Sequence, residues 1–165
     1  MSKQHNPNKD APARKIRPLA DNKRAFHEYL ILERFEAGMV LSGTEVKSLR
    51  MGQVQMLDCY ARIEDGEVWV HHMHIAPYTH GNIYNVDPMR KRKLLMKKME
   101  ISRLLGKTKE QGLALIPLKM FWDGDWAKME IGLAKGKQLH DKREAIAKKD
   151  IQRDVQRQLK ERTKY

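Results

Sequence analysis

The run His71-His72-Met73-His74 is the densest group of metal-capable side chains in the chain. On a strand His72 and His74 share one face. No carboxylate or thiolate neighbours the run in sequence, and zinc sites draw on four ligands, so neither a metal nor any other cofactor is expected. Glu36, beside Phe35 near a strand end, has the chemistry of a general base but no identifiable catalytic partner; holding an Arg or Lys, or accepting from a base edge, suits it better. There is no Gly-rich phosphate loop, Gly-x-Ser-x-Gly turn or zincin pattern, and no Cys/His pair with an orienting group. The remaining chemistry is cationic. Lys119 and Lys128 are expected opposite one another across a hairpin, with Phe121 against Trp126. Facing lysines repel unless an anion lies between them, and flanking aromatics complete a stacking and phosphate-binding surface. Alternatively, both lysines simply reach into water.

The composition agrees with an anionic partner. The 165 residues carry 33 Lys/Arg against 21 Asp/Glu, a net charge of +12, with a pI of 9.8. One cysteine, Cys59, permits no intrachain disulfide and no cysteine-based zinc site. The first 24 residues hold seven Lys/Arg, three prolines and no apolar stretch, and no window approaches a membrane span. These features predict a cytoplasmic protein with a flexible basic arm over 1–24, a domain over 25–135 and a tail over 136–165. From Lys135 onward eleven Lys/Arg face five Asp/Glu with sparse apolar residues, so the tail cannot be another core element.

Ordered structure is expected to start near Ala25, with a strand over 27–35 resuming at Met39. Ser42 and Glu45 have capping-box spacing ahead of a short helix that stops at Gly52. Asp65-Gly66 is a type I′ turn signal that places Ile63 opposite Val68, Ala61 opposite Val70, Arg62 opposite Trp69 and Tyr60 opposite His71. Asp123-Gly124 repeats the device. Between the hairpins, the basic cluster over 90–93 precedes a helix with Ile101, Leu104 and Leu105 inward and a stop at Gly106. Roughly six antiparallel strands with short inserted helices predict a mainly β fold, a small closed barrel of the oligonucleotide-binding (OB) type, with a β-sandwich as the alternative.

Several blocks, in order along the chain, carry a resemblance. They are Asn22-Lys23-Arg24-Ala25, Phe35-Glu36-Ala37-Gly38, Gly43-Thr44-Glu45-Val46-Lys47-Ser48-Leu49-Arg50, Arg92-Lys93-Leu94-Leu95, Ile131-Gly132-Leu133-Ala134-Lys135-Gly136-Lys137 and His140-Asp141-Lys142-Arg143. Together they resemble the SsrA-binding protein (small protein B) family. The resemblance implies a non-enzymatic OB-type protein of trans-translation that binds the tRNA-like domain of transfer-messenger RNA. It also implies delivery of that RNA, with elongation factor Tu in the complex, to ribosomes stalled on truncated messages. The tail is then expected in the decoding region and the vacant mRNA path.

Position by position, the resemblance implies that Asn22, Lys23, Glu36, Leu95 and Lys128 contact transfer-messenger RNA or support that surface; Lys119 joins them through its expected place beside Lys128. Gly136, Lys137, Asp141, Lys142 and Arg143 match the tail segment needed for accommodation and tagging, and His140 matches a tail histidine. The chain departs from the family pattern at Gln53, Gln55 and Cys59, which removes the expectation of a basic contact near position 53. Asp123 and Asp125 make the second turn acidic, so its tip is expected to point away from phosphates. Beyond an N-cap at Asp141, Ile151, Val155 and Leu159 form a narrow stripe, so the tail is expected to be disordered alone and helical against the ribosome. Two other readings use the same residues: a general ribosomal RNA binder, and a metal-dependent RNA-processing factor built on the histidines.

Overall fold

The computed structural model describes residues 16–162. Residues 1–15 of the expected arm lie outside them, but the arm does not extend to residue 24. Strand β1 (Ile16–Asp21) pairs antiparallel along residues 119–123, and Leu19 and Ala20 pack against the core. Pro18 is tolerated because β1 lies at an edge, where a missing N–H costs no ladder bond. Asn22 then caps helix α1 (Lys23–Glu28), accepting from the Ala25 N–H at 3.1 Å. The strand expected from His27 therefore starts only at Tyr29, as β2 (Tyr29–Met39).

Helix α2 (Gly43–Arg50) opens with the expected capping box: the Glu45 N–H donates to Ser42 Oγ at 3.4 Å and the Ser42 N–H to Glu45 Oε2 at 2.8 Å. Next come β3 (Val54–Gln55), β4 (Tyr60–Glu64), β5 (Glu67–His71), β6 (His74–Ile75) and β7 (Arg92–Leu95). Helix α3 (Lys98–Gln111) passes through Gly106, the expected stop, because Leu104 is fully buried and draws the helix onto the core; the chain turns at Gly112 instead. Strands β8 (Ala114–Asp123) and β9 (Trp126–Gly136) and helix α4 (Leu139–Arg162) complete the chain.

The β4–β5 register is the expected one at all four pairs, and Asp65 and Gly66 take φ of +49° and +75°, as a type I′ turn requires. The second hairpin is shifted. Asp123 pairs with Trp126, so the turn is Gly124-Asp125, with positive φ (+63°) at Gly124. Lys128 consequently faces Phe121, and Lys119 faces Glu130. The expected Lys119–Lys128 pair does not exist. This register lays Met120 against Met129 and Trp122 against Ala127, burying three of those four side chains completely or nearly so.

Strands β8, β4, β5, β7, β2 and β9 pair in that order and return to β8. The antiparallel ring closes, and the sandwich alternative falls. At the β4–β8 joint only Ala61 and Leu115 are paired. Leu49, Val68, Val70, Met73, Leu94, Met120, Met129 and Ile131 fill the interior, while Leu118 is buried in a second cluster with Ala25 of α1, Ile116 and Ala134. Cys59 is buried there as well, and burial pushes its thiol up to about 12, so it is inert as a thiolate.

The tail residues Leu139–Arg162 take the helical form expected of them against the ribosome. From Ile146 to Arg157 every residue is exposed, including Ile151 and Val155. The segment carries no glycine or proline, and over 146–157 it is not packed against the barrel.

Candidate nucleic-acid interface

Four of the six expected RNA-contact residues converge on one outer face of the ring. Gly38 on β2 is opposed by Leu95 on β7 and by Lys128 on β9. Opposed residues in a ladder share a face, and Leu95 lies over Gly38 at ordinary contact distance, 3.5 Å from where a Cβ would stand. Two residues along, Glu36 opposes Glu130, Glu130 opposes Lys119, and Lys119 opposes Asp21. Leu95 is 54% exposed, and Glu36 and Lys119 are also exposed. Helix α1 begins at the same level, since the Asn22 N–H donates to Leu118 O at 2.8 Å. Lys23 is exposed there.

Asn22 is different in kind. It is buried, and its Nδ2 donates to Pro117 O at 3.0 Å while its Oδ1 caps α1. Its polar atoms are committed inside the protein, so it orients Lys23 and presents nothing itself.

The charges on this face are largely compensated internally. Lys128 Nζ lies 2.5 Å from Asp123 Oδ2 in a half-buried pair, and Arg34 lies 3.2 Å from Glu130. Asp123, at the start of the acidic turn, thus reaches across the hairpin to Lys128. Phe121 is buried and offers no stacking surface; Trp126, 76% exposed, does.

The basic cluster over 90–93 is also neutralised. Lys91 bonds to Glu64 at 2.7 Å, its ammonium 4.8 Å over the Trp69 ring, and Lys93 pairs with Glu67. Arg92 has no exposed surface; its Nε donates to Glu45 Oε1 at 2.8 Å, and Arg90 reaches Glu45 Oε2 at 2.5 Å. Burial raises the Glu45 carboxyl, but Arg90, the Ser42 N–H and Arg92 together hold it below its ordinary value. Burial likewise lowers the Arg92 guanidinium, with Glu45 opposing the shift. The sequence reading missed this centre, although a signal was present. Arg92 stands two residues before buried Leu94, hence on its inward face.

The histidine run is dispersed. His71 stacks on Tyr60 with ring centroids 5.1 Å apart, and its Nε2 lies 2.9 Å from Glu64 Oε1, the carboxylate that sequence proximity did not reveal. Among the described residues no three His, Cys, Asp or Glu side chains stand where they could hold a metal ion. A groove of about 640 Å3 between α1, β4 and the end of α3 contains Arg24, which is bound to Glu28 at 2.8 Å and Asp58 at 2.6 Å.

At the start of the tail, Gly136 still pairs with Tyr29 on β2. Lys137 is fastened to α1 twice: its N–H donates to Glu28 O at 2.9 Å and its Nζ to Phe26 O at 3.1 Å. An ammonium beside the last carbonyls of a helix is favourably placed. The tail thus leaves the barrel from a fixed point. Arg143 on α4 is exposed, while the side chains of His140, Asp141 and Lys142 lie outside what the structure describes. Among the described residues no helix is long and apolar enough to cross a membrane.

The comparisons with known proteins agree with one another. The family model described as SmpB protein matches residues 19–161. The SsrA-binding protein of Carboxydothermus hydrogenoformans is 55% identical over 87% of this chain and 97% of its own length. That of Pelotomaculum thermopropionicum is 54% identical over 89% of this chain and 96% of its own. A chain from a solved structure described as "tmRNA-SmpB: a journey to the center of the bacterial ribosome" aligns with a TM-score of 0.62 at 50% identity, covering 79% of this chain and 95% of that one. With the family's matched stretch running from β1 to the last turn of α4, this chain belongs to the SmpB family of SsrA-binding proteins.

Proposed function

We propose that the chain is the RNA-binding adaptor of trans-translation. It binds the tRNA-like domain of transfer-messenger RNA and brings it to ribosomes stalled on truncated messages, so that the nascent peptide is tagged and the ribosome released. It does so without catalysis, in the cytoplasm, with elongation factor Tu in the delivery complex. The observation that carries the reading is the family match over 19–161, which spans both the barrel face and the tail.

In this reading Lys23, Lys119 and Lys128 meet phosphates, Leu95 packs against a sugar or base, and Glu36 accepts from a base edge or 2′-hydroxyl. Asn22 serves by holding α1. The tail, with Arg143 and its neighbours His140, Asp141 and Lys142, enters the small-subunit decoding region and the empty mRNA path. There α4 gains the packing and charge neutralisation that it lacks alone. Gly136 and Lys137 set where it departs from the barrel.

Affinity purification of the full chain from a bacterial lysate, with sequencing of the bound RNA, tests this. Transfer-messenger RNA should be enriched far above its share of total RNA. A bound pool that mirrors bulk tRNA or ribosomal RNA would contradict the reading and favour the general RNA binder.

A further inference from the structure

Residues 76–91, between β6 and β7, form a loop held in shape at many points. At its base, buried Arg92 donates to Met73 O at 2.6 Å, Pro88 O at 2.9 Å and Arg90 O at 3.1 Å. Within it, the Asn85 amide clasps Tyr78, accepting from its N–H at 3.0 Å and donating to its carbonyl at 2.9 Å. Gly81 lies under that amide, where any Cβ would collide with it. Asn82 takes φ of +42°, a conformation that side chains adopt at a cost. Thr44, at the start of α2, donates to Tyr84 O at 3.2 Å.

All this order supports two side chains that touch almost nothing. Ile83 is 87% exposed and Tyr84 76% exposed. An ordered loop that holds large apolar groups in water does nothing for the free protein's stability, and such a patch is what a binding site looks like before its partner arrives.

The surroundings favour RNA. Lys47 of α2 lies over the Tyr78 ring, its Nζ 5.2 Å from the centroid, and Arg50 is exposed on the same short helix. Thr44, which holds Tyr84, is six residues from Gly38, and exposed Val40 lies between them. Val40 itself donates to Lys93 O at 3.0 Å, beside Leu95. The loop is thus tied through the start of α2 to the end of β2, the strand whose Gly38 lies between Leu95 and Lys128. A flat ring, an aliphatic neighbour and nearby cations suit an unpaired base with its phosphate.

We propose that Ile83 and Tyr84 form a second contact for transfer-messenger RNA, with Tyr84 stacking on an unpaired base, Ile83 packing beside it, and Lys47 and Arg50 toward phosphates. This rests on the function proposed above. The test is equilibrium binding of in vitro transcribed transfer-messenger RNA by the full chain across a salt series, for wild type, Tyr84→Ala and Ile83→Ser.

Tyr84→Ala should bind about tenfold more weakly, as loss of a stacking contact does, and Ile83→Ser should also bind more weakly than wild type, both with an unchanged salt slope because no phosphate contact is removed. Thermal midpoints should match wild type, since both side chains are solvent-exposed. Wild-type affinity retained in Tyr84→Ala overturns the inference alone. So does a loss confined to ribosome binding. Failure of the wild type itself to bind this RNA overturns the inference together with the functional reading beneath it.

Discussion

Lys128 meets its own carboxylate before it meets any RNA. With Asp123 Oδ2 2.5 Å from its ammonium, a phosphate can take that position only by displacing the carboxylate, which then attracts a counterion of its own. Asp123 thus lowers both the affinity gained at Lys128 and its share of the salt dependence. Lys128→Ala should weaken transfer-messenger RNA binding and flatten the salt slope by at most about one unit. Asp123→Asn should act in the opposite sense, tightening binding several-fold at low salt with a steeper slope. Binding isotherms at four or five salt concentrations read both changes, and an unaltered slope in both variants would remove Lys128 from the interface. This pair was not legible in the sequence, because Gly124 can be the second residue of an Asp-Gly turn or the first of a Gly-Asp turn. Both are good turn dipeptides, and only the burial of Met120, Trp122 and Met129 selects between them.

At the scale of elements, Glu45 joins the capping box of α2 to buried Arg92 and thereby to the 76–91 loop. Glu45→Gln leaves a guanidinium without exposed surface short of its counter-charge, and should cost roughly 3–5 kcal/mol in urea unfolding. The pH dependence has a definite sign. The folded carboxyl is held below its ordinary 4.5, so its stabilisation is complete above that pH and drains away as pH falls through the folded value. Wild type should lose stability on acidification below about pH 4.5, and Glu45→Gln should lose less over the same range. Unfolding midpoints at pH 7 and pH 3.5 measure both, and parallel pH profiles would contradict the assignment. The capping box and the Asp65-Gly66 hairpin were readable because their signals are local. The inward face of Arg92 was readable too, but its pairing with Glu45, the strand β1 and the passage of α3 through Gly106 were not, since each depends on partners distant in sequence: Glu45 for Arg92, β8 for β1, and the core around Leu104.

For the whole molecule, the ring and the tail are built on different physics. The ring is closed and has a continuous apolar interior, whereas α4 exposes every residue from Ile146 to Arg157. Composition led to the expectation of a tail beginning at Gly136. In the structure Lys137 is tied to α1 through Glu28 O and Phe26 O, so a truncation that spares this tie must fall after it. The most direct test is a chain ending at Gln138, which keeps that tie and deletes α4, compared with the full chain for transfer-messenger RNA affinity and for peptide tagging on stalled ribosomes. Affinity should stay within about twofold of wild type, as expected when no interface contact is lost, while tagging is abolished. A proportionate loss of both activities would show that barrel and tail do not divide the work.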